Sequence, residues 1–154
     1  MNDQDKILHF LKVTGPTTPS KVAKNIGQTN LIASAYLSDL KSQGKLKISK
    51  LKVGGTPLYY LAGQEDLLYN FVEGNVNSKD IQVLEQLKKN KILRENDLEL
   101  LGKVALRNLK DFAIPLHVSV RGKTELFWKW HLLPAKEANS LIKEVFFESE
   151  QKFQ

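Results

Sequence analysis

Apolar residues along the first third of the chain recur at intervals of three and four, the spacing that gathers side chains on one face of an α-helix. Ile7, Leu8, Phe10 and Leu11 make such a face over residues 5–13, and Thr14-Gly15-Pro16 ends it. Thr18-Pro19 then offers an N-cap with proline at the first helical position. Val22, Ala23 and Ile26 form the apolar side of a second helix, which Gly27 closes. Ala33, Leu37 and Leu40 carry a third helix over residues 29–43, stopped by Gly44. Beyond it the period drops to two. Residues 46–53 and 57–61 read as strands, joined by a Gly54-Gly55-Thr56 turn.

The pattern then starts again. Leu67, Leu68, Phe71 and Val72 predict a short connecting helix over residues 66–72, ended by Gly74. Asn77, with Asp80 three residues on, opens a helix whose core positions are Ile81, Leu84 and Leu87. Ile92-Leu93 is a short strand. Leu98, Leu101, Ala105, Leu109 and Phe112 form one helical stripe over residues 95–112, with Gly102 as a turn inside it. Two strands follow: Leu116, Val118 and Val120 alternate with polar neighbours, and Leu126, Trp128, Trp130 and Leu132 alternate with Glu125, Phe127, Lys129 and His131. The tryptophan side is assigned to the core, and Phe127 to a contact under the terminal helix or to an interface. Residues 134–153 are strongly amphipathic, with Ala138, Leu141, Ile142, Val145 and Phe146 on one face and Glu144, Glu148 and Glu150 elsewhere. A stripe this apolar must cover something, either its two-fold mate in a homodimer or its own hairpin.

Three helices and a hairpin within residues 1–63 is the order of a winged helix-turn-helix. Ser20-Lys21-Val22-Ala23-Lys24-Asn25-Ile26-Gly27, then Tyr36-Leu37-Ser38-Asp39-Leu40 and Gly44-Lys45-Leu46, match a helix of the form xxVAxxIG, a recognition helix ending LxxLxxxG, and a wing. Over residues 5–63 the chain resembles winged helix-turn-helix DNA-binding proteins, small archaeal ones among them. Helix, strand, helix and hairpin recur after residue 77 with little residue identity. The expected fold is therefore α+β and mostly helical, a tandem winged helix with a degenerate second copy and a C-terminal amphipathic helix. The boundaries are residues 1–65, a linker helix over 66–76, a second winged-helix-like domain over 77–133, and the terminal helix over 134–154. A generic α+β domain bracing the first is the competing reading of the second half.

Composition narrows the function. With no cysteine in 154 residues, disulfide frameworks, cysteine nucleophiles and cysteine-bearing zinc sites are excluded. No apolar run approaches the roughly 18 residues of a membrane span, and the polar start does not read as a signal peptide. A cytoplasmic, nucleoid-associated protein is expected. The net charge of +6 is concentrated: residues 1–63 carry nine lysines against three aspartates, and the remainder balances. Lys41, Lys45, Lys47, Lys50 and Lys52 cluster at the end of the third helix and along the wing, where they can meet phosphates beside a groove. A solvated, lysine-guarded edge strand is the bland alternative. On the recognition helix Thr29, Asn30, Ser34 and Tyr36 are the candidate contacts. Arginine, the commonest reader of guanine, is absent from residues 1–63, and Leu31 and Ile32 look like protein-contact residues. In the second half Lys103, Arg107 and Lys110 on one helix face, with Arg121 and Lys123 at the hairpin turn, extend the candidate footprint. The expected partner is double-stranded DNA, bound through phosphate-dominated, weakly sequence-specific contacts by a transcriptional regulator or chromatin-associated factor. A winged-helix protein-interaction module, or an RNA-binding factor in a transcription or translation assembly, is the rival.

Nothing argues for an enzyme or a cofactor. Gly122-Lys123-Thr124 lacks the upstream glycine of a phosphate loop, since position 117 is histidine, and it bridges two strands. His9, His117 and His131 have no metal-like spacing, although the last two are candidates to face each other across the hairpin. Glu95, Asp97 and Glu99 read as carboxylates favoured by a helix start.

Overall fold

The computed structural model describes residues 1–152, without the side chains of 149–152; Phe153 and the Glu150 side chain therefore lie outside the described residues. The chain is α+β and divides into two units, Met1–Val76 and Asn77–Gln154.

In the first unit, α1 (Asp3–Thr14), α2 (Pro19–Ile26) and α3 (Asn30–Ser42) precede a hairpin of β1 (Lys47–Val53) and β2 (Thr56–Tyr60). The side chain of Asn2 accepts the Asp5 N–H at 2.8 Å and starts α1. Proline at the first position starts α2, whereas the Thr18 hydroxyl makes no capping bond to the helix. Gly27 turns the chain out of α2 at φ 71°, a left-handed conformation that favours glycine. The apolar stripes meet as expected: Ile7, Leu11, Val22, Ala23, Ile26, Ala33, Leu37 and Leu40 are buried together with Leu46 and Tyr59. Each large side chain so buried is worth roughly 1.5–3 kcal/mol. The segment expected as a linker helix is instead a 3-10 helix, Glu65–Phe71, that belongs to this unit. Leu68 and Val72 are buried in it, and Gln64 donates to the Leu11 carbonyl at 2.8 Å.

The second unit runs α4 (Ser78–Asn90), β3 (Ile92–Arg94), a 3-10 turn (Glu95–Asp97), α5 (Leu100–Asn108), β4 (Ala113–Val120), β5 (Lys123–Trp130) and α6 (Ala135–Lys152). Its sheet order is β3-β5-β4, all antiparallel. The two units share this topology. Thr17, between α1 and α2, forms an antiparallel bridge to Tyr59 on β2, as β3 does to β5. The hairpins also turn alike, through Gly54-Gly55 at φ 59° and 84° and through Arg121-Gly122 at φ 53° and 78°, the positive pair that suits strand twist. Only the second helix has shrunk, to the turn Glu95–Asp97. The second unit thus repeats the element order and strand pairing of the first, an arrangement consistent with the expected tandem of winged-helix-like units.

One element differs from expectation. The stripe over residues 95–112 is not one helix: Leu98 is extended at ψ 145°, α5 covers only Leu100–Asn108, and Leu101 faces water while Leu109 and Phe112 are buried beyond the helix end. An interrupted helix loses phase, so positions that a continuous helix would align separate. β5 is covered on both faces. Trp130 stacks on Phe112 with ring centroids 6.0 Å apart, while Phe127 meets Phe146 of α6 edge to face at 5.7 Å. Ala138 and Ile142 are buried, and Leu141, Val145 and Phe146 are half-buried. The apolar face of α6 is thereby covered in part within its own unit. Lys129 fixes the approach to α6 by donating to the carbonyls of Trp130, His131 and Leu133 at 3.4, 3.3 and 2.6 Å, and burial lowers its pKa.

Candidate nucleic-acid interface

The recognition position is filled by α3, entered through the short turn after Gly27. The Thr29 hydroxyl accepts the Ile32 N–H at 3.2 Å, so it caps the helix while remaining exposed. Asn30 is exposed beside it, Ser34 is half-buried, and Tyr36 is half-buried with its ring packed against the core. Leu31, 81% exposed, is the most prominent apolar group here. Lys41 is exposed in the last turn, and Lys45 follows the helix end.

In β1 the register shifts between Ile48 and Lys52, so the strand bulges. Ser49 holds the bulge: its buried hydroxyl donates to the Leu51 carbonyl at 2.6 Å and accepts the Leu58 N–H at 2.9 Å. Ser49 and Leu51 turn inward, leaving Lys50 and Lys52 exposed side by side on the outer face. No periodicity singles out Ser49, because a bulge breaks the alternation that sequence patterns rely on. Lys47 is committed elsewhere, to Glu65 at 2.8 Å. Burial pushes the Glu65 carboxyl up, but the Lys47 hydrogen bond, the N–H groups of Glu65 and Gly63 and the Lys47 charge together hold it below its ordinary value.

Assigning Glu65, Asp66 and Glu73 to the first unit changes the charge picture. Nine lysines now meet six acids in residues 1–76, and 14 basic residues meet 11 acids in residues 77–154, so each unit carries +3. The concentration of positive charge is local: Lys41, Lys45, Lys50 and Lys52 around the end of α3 and the wing.

In the second unit the candidates scatter. Arg107 grips Glu95 with both Nη atoms, at 3.0 and 2.5 Å, and its guanidinium lies 5.5 Å from the Trp128 ring centroid. Arg107 lowers the pKa of Glu95 against the opposing effect of burial. Lys103 is half-buried, whereas Lys110, Arg121 and Lys123 are exposed. Glu125 is held by Arg94 through two bonds of 2.8 Å and by Asn96 at 3.1 Å. Glu95, expected at a helix start, is thus a buried carboxylate paired with a half-exposed Arg107, and Glu99 occupies the N-cap of α5 without a side-chain capping bond. The histidines do not face each other: His117 is opposite Leu126, while His131 sits edge-on to Phe112 and Trp130. Gly122 is in the hairpin turn, and Lys123-Thr124 begin β5 directly after it. Among the described residues, no three His, Asp or Glu side chains are grouped as metal ligands, and no helix is long and apolar enough to cross a membrane.

No protein-family model matches the chain, and no curated protein matches it significantly. Among solved structures it is similar to ScpB from Mycobacterium tuberculosis, at 14% identity over 86% of this chain and 94% of that chain, with a TM-score of 0.30.

Proposed function

We propose that the first unit is a duplex-DNA-binding winged helix and that the protein is a non-enzymatic, nucleoid-associated factor, a transcriptional regulator or chromatin component. The carrying observation is the run of exposed Lys41, Lys45, Lys50 and Lys52 at the end of α3 and along the bulged wing. Lysines there neutralise phosphates on either side of a groove that α3 enters. With Thr29 engaged in capping, Tyr36 against the core and no arginine in residues 1–63, the base-reading inventory reduces to Asn30 and Ser34. Binding is then phosphate-dominated and weakly selective.

The test is fluorescence anisotropy on random duplex, single strand and structured RNA across a salt series. Duplex should bind best. Lys45→Gln with Lys52→Gln should flatten the log–log salt slope by about two, at roughly 0.9 per phosphate contact. An unchanged slope places the polyanion surface elsewhere. The exposed Leu31 favours a second reading, a protein-interaction module, and that reading takes over if none of the three nucleic acids binds.

A further inference from the structure

In the second unit the place of the recognition helix is held by α5, and its outward face is apolar. Leu100, Leu101 and Val104 are 74, 61 and 48% exposed. Clustered side chains of this kind facing water mark interaction surfaces. Beside them α4 and α5 leave two shallow depressions of about 430 and 400 Å³, both walled by Val83 and Leu101 and the first also by Gly102. Gly102 stands inside α5, where glycine weakens a helix. A Cβ there would meet only Leu98, at 3.6 Å or more, so packing within the unit does not require glycine. What it leaves is room for another backbone to approach.

The charges beside the strip decide what approaches. Asp97 and Glu99 stand at the start of α5 and Lys79 in the first turn of α4, and none of the three is in a salt bridge among the described residues. Of the cations on α5, Lys103 is half-buried and Arg107 is turned to Glu95. A polyanion would meet two carboxylates here. We propose that this strip is the interface of a homodimer, with α5 of one chain lying antiparallel against α5 of a second copy. A two-fold axis beside Leu101 sets the apolar strip on itself and carries Asp97 and Glu99 of each chain toward Lys79 of the other. That self-complementarity selects a second copy as the occupant. The inference is independent of nucleic-acid binding by the first unit.

Sedimentation of the full chain from low to high micromolar concentration tests it. The wild type should associate to a dimer. Leu101→Asp should weaken association by about tenfold or more, with the unfolding midpoint reported by tryptophan fluorescence unchanged at concentrations where both proteins are monomeric, because Leu101 faces water in the single chain. Lys79→Glu alone and Glu99→Lys alone should each weaken the dimer, and the two together should restore it. A wild type that stays monomeric at high micromolar concentration overturns the proposal. So does a dimer indifferent to Leu101→Asp, whether nucleic acid or another protein later proves to occupy the strip, and so does a double charge exchange that fails to rescue.

Discussion

Ser49 connects a buried hydroxyl to the presentation of the wing lysines. Its two backbone partners, the Leu51 carbonyl and the Leu58 N–H, are on the two strands of the hairpin, and the buried Leu58 N–H loses this acceptor if the hydroxyl goes. Ser49→Ala should therefore cost about 1–3 kcal/mol, read as a lower far-ultraviolet unfolding midpoint in urea. It should also weaken duplex binding, because Lys50 and Lys52 lose the bulge that sets them side by side. A midpoint within error of wild type would mean that the hydroxyl does not hold the bulge. Glu95 supplies a second prediction, with a definite sign. Its carboxyl is held below the ordinary 4.5 chiefly by Arg107, so the folded state releases that proton more readily than the unfolded chain does. The resulting stability is present above pH about 4.5 and is lost as the pH falls through the lower folded value. In Arg107→Met the buried carboxylate loses its counter-ion. The gap in urea midpoint between wild type and Arg107→Met should be widest near pH 7 and close below pH 4.5; a gap constant with pH would refute the pairing. Neither residue was visible as a pattern, since each acts through a partner 9 or 12 positions away whose nearness only the folded chain creates.

The helices and hairpins were largely readable because local rules suffice for them: periodicity, a capping Asn77 that accepts the Asp80 N–H at 2.8 Å, and a Gly-Gly turn. The stripe over residues 95–112 misled for the opposite reason. Apolar residues at helical spacing imply a helix only where the backbone between them is helical, and extended Leu98 breaks the phase. Leu101, part of that stripe by its spacing, lies on the surface, and the exposed strip of α5 sits inside an apparently regular apolar pattern. Gly102 was read as a turn, but it is helical and unconstrained by its neighbours. Gly102→Ala should accordingly stabilise the second unit by about 0.5–1 kcal/mol. Both tryptophans, Trp128 and Trp130, lie in that unit, so fluorescence isolates its transition. A loss of stability would show that the glycine serves packing within the unit after all.

Across the whole chain, the duplicated topology separates what the two copies can do. Each carries +3, so net charge does not distinguish them; the disposition of the charge does. The first copy places exposed lysines at the end of α3 and on the wing. The second spends Arg107 on Glu95, half-buries Lys103 and turns an apolar face outward from α5, leaving Lys110, Arg121 and Lys123 as its exposed candidates. Sequence alone made these two sets look like one extended footprint, because pairing with Glu95 cannot be seen in the spacing of Lys103, Arg107 and Lys110. If phosphates are neutralised only by the first copy, removing charge from the second should leave the counterion release unchanged. Lys110→Gln with Lys123→Gln is therefore expected to keep the wild-type salt slope on random duplex. Lys45→Gln with Lys52→Gln, the same loss of two charges from the first copy, flattens it by about two. Net charge falls equally in both variants, so a general electrostatic effect of protein charge would move them together. Equal flattening in the two would place phosphates on both copies, and with them the reading of α5 as a surface for its own kind would have to share that unit with nucleic acid.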